Sequence, residues 1–322
     1  MNQRQQLEQW TTVVADTGDL DMIAALQPQD ATTNPSLLLK AAQDERYQHL
    51  LADAQALAAK LGHAGQLDWI SDCYACLAGS AILERIEGLV STEVDARLSF
   101  DSQATVEKGR RLIGIYRELG ISRERILIKI AATWEGIKAA EVLEQEGIGC
   151  NITLVFNQTQ ALAAAEAGAT LISPFVGRIY DWYLKRGVEI NTVDQDPGVV
   201  SVRDIYNTFK QRGLDTVVMG ASFRTAEQVI ALAGCDKLTI SPGLLEQLAD
   251  QASPISCQLT DDGQRDTHWS PTDQAEFRWH MNEDPMASDL LADGIRRFAA
   301  DQRDLETLLT ETVHHEMARS LA

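Results

Sequence analysis

The chain has 322 residues, of which 45% are hydrophobic, 23% charged and 6% aromatic. That is the composition of an ordinary globular protein with ample apolar material for a large core, and it excludes disorder, collagen and coiled coil. Lys plus Arg number 28 against 47 Asp plus Glu, a formal charge of −19, which argues against nucleic acid or an anionic membrane as a principal partner.

Short β-branched runs alternate with longer amphipathic stretches, the pattern of a parallel sheet covered by helices. Strands are expected at residues 11–16, 30–33, 89–95, 126–132, 150–156, 170–176, 216–222 and 237–241. Helix-like stretches lie between them, among them 36–61, 102–119, 133–146 and 158–167. Gly120, Gly147, Gly168, Gly213 and Gly234 follow expected helix ends, where a left-handed C-cap favours glycine. Eight strands in this rhythm predict a (β/α)8 barrel. An open doubly wound sheet is the alternative, but no G-x-G-x-x-G follows the first strand, so a dinucleotide site has no support.

Length alone would allow two domains, yet a barrel commonly uses a chain of this size as one. Residues 1–322 are therefore read as a single barrel domain with a C-terminal helical extension. Residues 187–199 and 252–285 break the rhythm with Asp, Gln, Pro and Gly, and are read as extended loops or appendages. Residues 286–321 read as one or two closing helices. No stretch approaches the ~18–20 apolar residues of a membrane span, and the first residues lack the apolar core of a signal peptide. Five scattered cysteines argue against a disulfide framework. A soluble, cytoplasmic protein is expected.

Barrel strands are buried on both faces, so a polar side chain within one is costly unless something satisfies it. Ile126-Leu-Ile-Lys-Ile130 places a lone lysine in a β-branched run, and Val90-Ser-Thr-Glu-Val-Asp95 carries a glutamate. Asn151 and Thr153 share one side of the fifth strand, the first strand ends in Asp16, and the sixth contains Ser173. By period-two alternation Lys129, Glu93, Thr153 and Ser173 can all face the barrel axis. A structural ion pair between Lys129 and Glu93 is one reading. Polar residues near the ends of five strands fit an active site better, since barrels assemble their sites there. Burial disfavours the charged form of a lysine and equips it to attack a carbonyl and form a Schiff base, and a neighbouring carboxylate can move protons during dehydration. The six histidines, His49, His63, His268, His280, His314 and His315, show no metal-ligand pattern on the strands.

Five motifs, Asp30-Ala-Thr-Thr-Asn-Pro-Ser36, Ser91-Thr-Glu-Val-Asp-Ala-Arg97, Ile126-Leu-Ile-Lys-Ile130, Leu171-Ile-Ser-Pro-Phe-Val-Gly-Arg178 and Val218-Met-Gly-Ala-Ser-Phe-Arg224, resemble those of the transaldolases, in family order from about residue 7 to about residue 303. The likeness is to the longer bacterial and eukaryotic class, which resembles a circularly permuted class I aldolase barrel. It implies that Lys129 attacks the C2 ketone of fructose 6-phosphate or sedoheptulose 7-phosphate. Glu93, through a water held with Thr153, would carry protons, and Asp16 would deprotonate the C4 hydroxyl so that C3–C4 breaks. The dihydroxyacetone unit then waits on Lys129 for an aldose phosphate acceptor. Asn34, Asn151 and Ser173 resemble residues that hold the donor's hydroxyls, while Arg178, Ser222 and Arg224 resemble a phosphate site. The resemblance implies no cofactor and no metal, phosphorylated sugars as partners, and allows a homodimer through the last helices.

Phe175 stands where related fructose 6-phosphate aldolases tend to carry tyrosine, and without a hydroxyl it favours group transfer over free aldol cleavage. A fructose 6-phosphate aldolase is the rival of the same kind, and a non-catalytic sugar-phosphate- or protein-binding barrel the rival of another. Asn157 departs from the family's common serine before Gln158. Cys73 and Cys76 form a C-x-x-C read chiefly as helix packing, with a redox pair as the alternative. Asp95 with Arg97 is read as a structural pair, and Trp134 as packing.

Overall fold

The computed structural model describes residues 1–266 and 270–320. Eight parallel strands close into one barrel in chain order: β1 (Thr12–Asp16), β2 (Asp30–Thr32), β3 (Val90–Glu93), β4 (Ile126–Ala131), β5 (Cys150–Val155), β6 (Leu171–Pro174), β7 (Val217–Gly220) and β8 (Lys237–Ile240), with β8 pairing back onto β1. Every expected strand is present. The helices between them return the chain from one end of the barrel to the other, as parallel neighbours require.

Each strand has two buried faces with different partners. Outward residues such as Ile128, Ile130, Ile152, Val218 and Ile240 join the main core beneath the helices. Inward residues near the N-terminal ends form a separate small cluster of Val14, Leu127, Leu171 and Met219. This apolar plug fills the lower barrel, as side-chain layers do in this fold. Two residues further along the same strands the inward positions are Asp16, Lys129, Ser173 and Ala221. The alternation that buries the plug therefore lifts the polar set to the C-terminal rim.

Strand ends turn sharply into capped helices. Thr133 accepts from Gly136 N at 2.9 Å to start the helix Trp134–Gln145, and Asn34 accepts from Leu37 N at 3.0 Å to start Pro35–Gln43. The five cap glycines all have positive φ, between 64° and 100°, and Gly213 closes the helix Pro197–Arg212 in the left-handed conformation.

Three expectations need correction. The stretch 36–61 is not one helix: Asp44 turns extended and its carboxylate takes Arg46 N at 3.0 Å, so a short 3-10 turn separates Pro35–Gln43 from His49–Lys60. Residues 252–285 are not all loop, because Gln274–Glu283 is helical, with Asp273 capping it through Glu276 N at 2.9 Å. Only Phe277 and Met281 are buried there, too few apolar residues for a legible periodicity. The helix Pro197–Arg212 likewise begins inside the expected loop 187–199. The end of the chain is a single 36-residue helix, Pro285–Ser320. Among the described residues no helix is long and apolar enough to cross a membrane.

Candidate active site

Lys129 is 4% exposed. Parallel register sets it beside Glu93, and its Nζ lies 3.1 Å from Glu93 Oε2 while donating to Thr33 O at 3.0 Å. Glu93 Oε2 makes no aligned hydrogen bond, so the contact is an ion pair without directional closure. Asp16 ends β1 opposite Thr32, whose hydroxyl donates to Asp16 Oδ1 at 3.2 Å. A second hydroxyl, Thr239 on β8, stands 3.2 Å from Thr32 Oγ1. Thr32 has one proton, so when it serves Asp16, Thr239 must be the donor to Thr32. Ser173 donates to Asn151 Oδ1 at 2.7 Å and Asn151 Nδ2 donates to Ser91 Oγ at 3.0 Å, a fully buried chain across three strands.

The fifth strand is irregular where the site needs it. Register shifts between Ile152 and Val155, and Leu154 takes a φ of 58°. A bulge of this kind redirects side chains beside a site, and a leucine in the left-handed region costs about 1–3 kcal/mol. Thr153, just before it, points its hydroxyl into the barrel with no protein partner.

These residues surround a cavity of about 70 Å³ at the C-terminal end of the barrel, lined by Asp16, Thr32, Asn34, Lys129, Thr153, Ser173, Phe175, Arg178, Ser222, Thr239 and Phe298 among others. Glu93 reaches it through Lys129, and Asn151 stands behind the wall supporting Ser173. A wider groove of about 780 Å³ at the opposite end, beside Arg4, Trp10, Gln27 and Asp236, gathers no comparable set of reactive groups.

Burial pushes Asp16 above the ordinary carboxylate range, against the opposing pull of Lys129, the Thr32 hydroxyl and Arg178. Burial pushes Glu93 up as well, with Lys129 again opposing. Two carboxylates whose burial favours their neutral forms, one on the cavity with a buried amine and the other paired with that amine, are suited to exchanging protons.

At the mouth, the two arginines differ. Arg224 is tied to Asp181 at 2.8 and 3.0 Å and reaches Ser222 Oγ at 3.3 Å. Ser222 itself has a φ of 62°. Arg178 lies over the rings of Phe175 and Phe298, its centre 4.8 and 5.4 Å from theirs, and its buried Nη1 has no hydrogen-bond partner. Burial, with the like charges of Arg297 and Arg224, draws its pKa down.

The structure thus gathers Asp16, Asn34, Lys129, Thr153, Ser173, Phe175, Arg178 and Ser222 on one cavity, with Glu93, Asn151 and Arg224 immediately behind it. Sequence reasoning missed Thr32, Ser91, Thr239 and Phe298. Thr239 carried the signal used elsewhere, a polar residue in a buried strand. Phe298 carried none, since nothing local to a helix says that it reaches a barrel mouth.

Other features resolve into structure. Asn157 accepts from Gln160 N at 3.0 Å and caps the helix Gln158–Glu166, a task asparagine performs as well as serine. Arg97 pairs with Asp95 and, on the last helix, Glu306. Trp134 packs against Phe277 at 5.5 Å. Cys73 and Cys76 are fully buried in the helix Leu67–Leu83. Burial pushes the Cys73 thiol up to about 12 and Cys76 well above its usual value, which opposes thiolate chemistry. Among the described residues no group of three or more His, Cys, Asp or Glu could hold a metal ion. His268 lies outside the described residues, as do the side chains of His314 and His315.

Comparison with known proteins bears on the same stretch of chain. The sequence model of the transaldolase/fructose-6-phosphate aldolase family matches residues 13–309. Transaldolase 1 of Pectobacterium atrosepticum is 57% identical over 312 residues, covering 96% of this chain and 99% of its own. Transaldolase of Pseudoalteromonas atlantica is 56% identical over 97% of this chain and 99% of its own. Transaldolase A of Escherichia coli K12 is 53% identical over 96% and 99%. The chain belongs to the transaldolase/fructose-6-phosphate aldolase family, and within it stands with the transaldolases.

Proposed function

We propose that Lys129 is the nucleophile that carries a dihydroxyacetone unit from sedoheptulose 7-phosphate or fructose 6-phosphate to an aldose phosphate, as a step of the non-oxidative pentose phosphate pathway. One observation carries the residue assignment: a buried amine 3.1 Å from one raised carboxylate, Glu93, shares its cavity with a second, Asp16.

Lys129 Nζ attacks the donor's C2 carbonyl. The carbinolamine loses water as Glu93 exchanges protons with it through a water that Thr153 also binds; both oxygens have lone pairs free for that bridge. Asp16 then takes the proton of the C4 hydroxyl. The C3–C4 electrons move into the iminium, an aldose phosphate leaves, and the three-carbon unit remains as an enamine. The acceptor aldehyde adds by the reverse sequence, and hydrolysis frees the lysine. Asn34, Ser173 and, behind it, Asn151 fix the donor's hydroxyls. Arg178, Ser222 and Arg224 receive the phosphate, with charge-assisted contacts from the guanidiniums. Phe175 offers no hydroxyl to help water release the enamine, so transfer prevails over net aldol cleavage. The whole chain serves this one site, in the cytoplasm where phosphorylated sugars are retained.

The test is mass spectrometry after fructose 6-phosphate and borohydride, with the adduct mapped by peptide. A reduced three-carbon adduct on Lys129 is expected, and Asp16→Ala should yield a six-carbon adduct at the same residue. An adduct elsewhere, or none on folded protein that binds the donor, overturns the assignment.

A further inference from the structure

The C-terminal helix Pro285–Ser320 lies outside the strand–helix alternation, yet Phe298 on it is 3% exposed and forms part of the cavity wall. Its ring and that of Phe175 both face the Arg178 guanidinium. One turn earlier the helix has Gly294, and a Cβ there would come within 3.2 Å of Arg178 Nη1 and 2.8 Å of Leu154 Cδ2. The guanidinium therefore sits in a notch at Gly294 that a Cβ would narrow, so that Leu154 and Arg178 would have to shift to admit one. The helix is held from several sides: Gln302 to Ser71 at 2.6 Å, Trp182 to Asp289 at 3.0 Å, and contacts from Asp301 to Ser36 and Glu306 to Arg97.

We infer that Phe298 and Gly294 are positioning residues that hold Arg178 ready for the substrate's phosphate. Arg178 keeps a buried N–H without a protein partner, which is costly unless a ligand accepts it; Glu93 and Asp293 act on it only through space, whereas Asp181 pairs directly with Arg224. Aromatic faces can hold a desolvated guanidinium in place without occupying its hydrogen-bond donors. In this arrangement the helix confers the preference for phosphorylated over plain sugars. The inference rests on the phosphate reading of Arg178 given above.

The experiment measures how fast borohydride traps donor on Lys129, across concentrations of fructose 6-phosphate and of fructose. Phe298→Leu is expected to lower the ratio of the two second-order rates about tenfold, the scale of a desolvated cation–π contact. Gly294→Ala should lower it in the same sense, and Arg178→Leu further. A general packing defect would reduce both rates together and leave the ratio unchanged, which overturns the inference. If Arg178→Leu lowers the ratio and neither helix variant does, the helix role falls and the phosphate reading stands. If Arg178→Leu itself leaves the ratio unchanged, both fall.

Discussion

Two lysine–carboxylate pairs stand inside the same barrel, one toward each end. Near the N-terminal end Lys237 on β8 meets Asp30 on β2, and both Asp30 oxygens have hydrogen-bond partners, Oδ1 from Leu89 N at 2.8 Å and Oδ2 from Lys237. Near the C-terminal rim Lys129 meets Glu93, and Glu93 Oε2 lacks an aligned donor. The upper pair is the more buried, with side chains 5% and 3% exposed against 19% and 8%. Identical chemistry thus serves two ends. Where both carboxylate oxygens are hydrogen-bonded the pair braces the barrel, and where burial is deeper and satisfaction incomplete the groups are left able to react.

Lys129→Ala would break the comparison most severely. Turnover should fall by about 10⁴-fold or more, as loss of a covalent nucleophile does, while calorimetry still detects fructose 6-phosphate within about tenfold of the original affinity. Substantial residual turnover would refute the mechanism. Lys237→Met probes the other end. Urea denaturation should show a loss of about 3 kcal/mol, the low end for stranding one partner of a buried pair because Lys237 is partly exposed, with turnover per folded molecule within about twofold. A turnover collapse there would erase the distinction between the ends.

Arg224→Ala should raise KM for fructose 6-phosphate about three- to tenfold with little change in kcat, because that guanidinium is already shared with Asp181; an unchanged KM removes it from the phosphate site. The smallest effect concerns stability and pH. Burial holds Asp16 above its unfolded pKa, so the cost of ionising it in the fold is absent below about pH 4 and grows as pH rises through the folded value. Asp16→Asn should therefore raise Tm by about 1–3 °C at pH 7 and hardly at pH 4. A gain equal at both values would mean that packing, not ionisation, sets the effect.

Every strand was legible to within two residues at each end, because buried β-branched runs between capped helices leave few alternatives. Lys129, Glu93, Thr153 and Ser173 were legible for the opposite reason: each violates the apolar rule of its strand. Thr239 violates it too, but a lone threonine in a four-residue strand is common enough to pass unnoticed. The helix Gln274–Glu283 was missed because two buried residues do not make a period. Phe298 and the engagement of Arg224 by Asp181 depend on contacts between distant segments, which no local pattern encodes.

If Arg178 receives the phosphate, its recess also bears on how substrate arrives. A chain with a formal charge of −19 repels a sugar phosphate during approach, whereas the cations Lys129 and Arg178 lie recessed on the cavity wall. Added salt screens the long-range repulsion, with a Debye length of about 8 Å at 0.15 M, far more than it screens a buried contact. The encounter rate should thus climb with moderate ionic strength, so that kcat/KM rises with added sodium chloride where a basic, steering enzyme would slow; a monotonic fall would show that the local field already dominates outside the mouth.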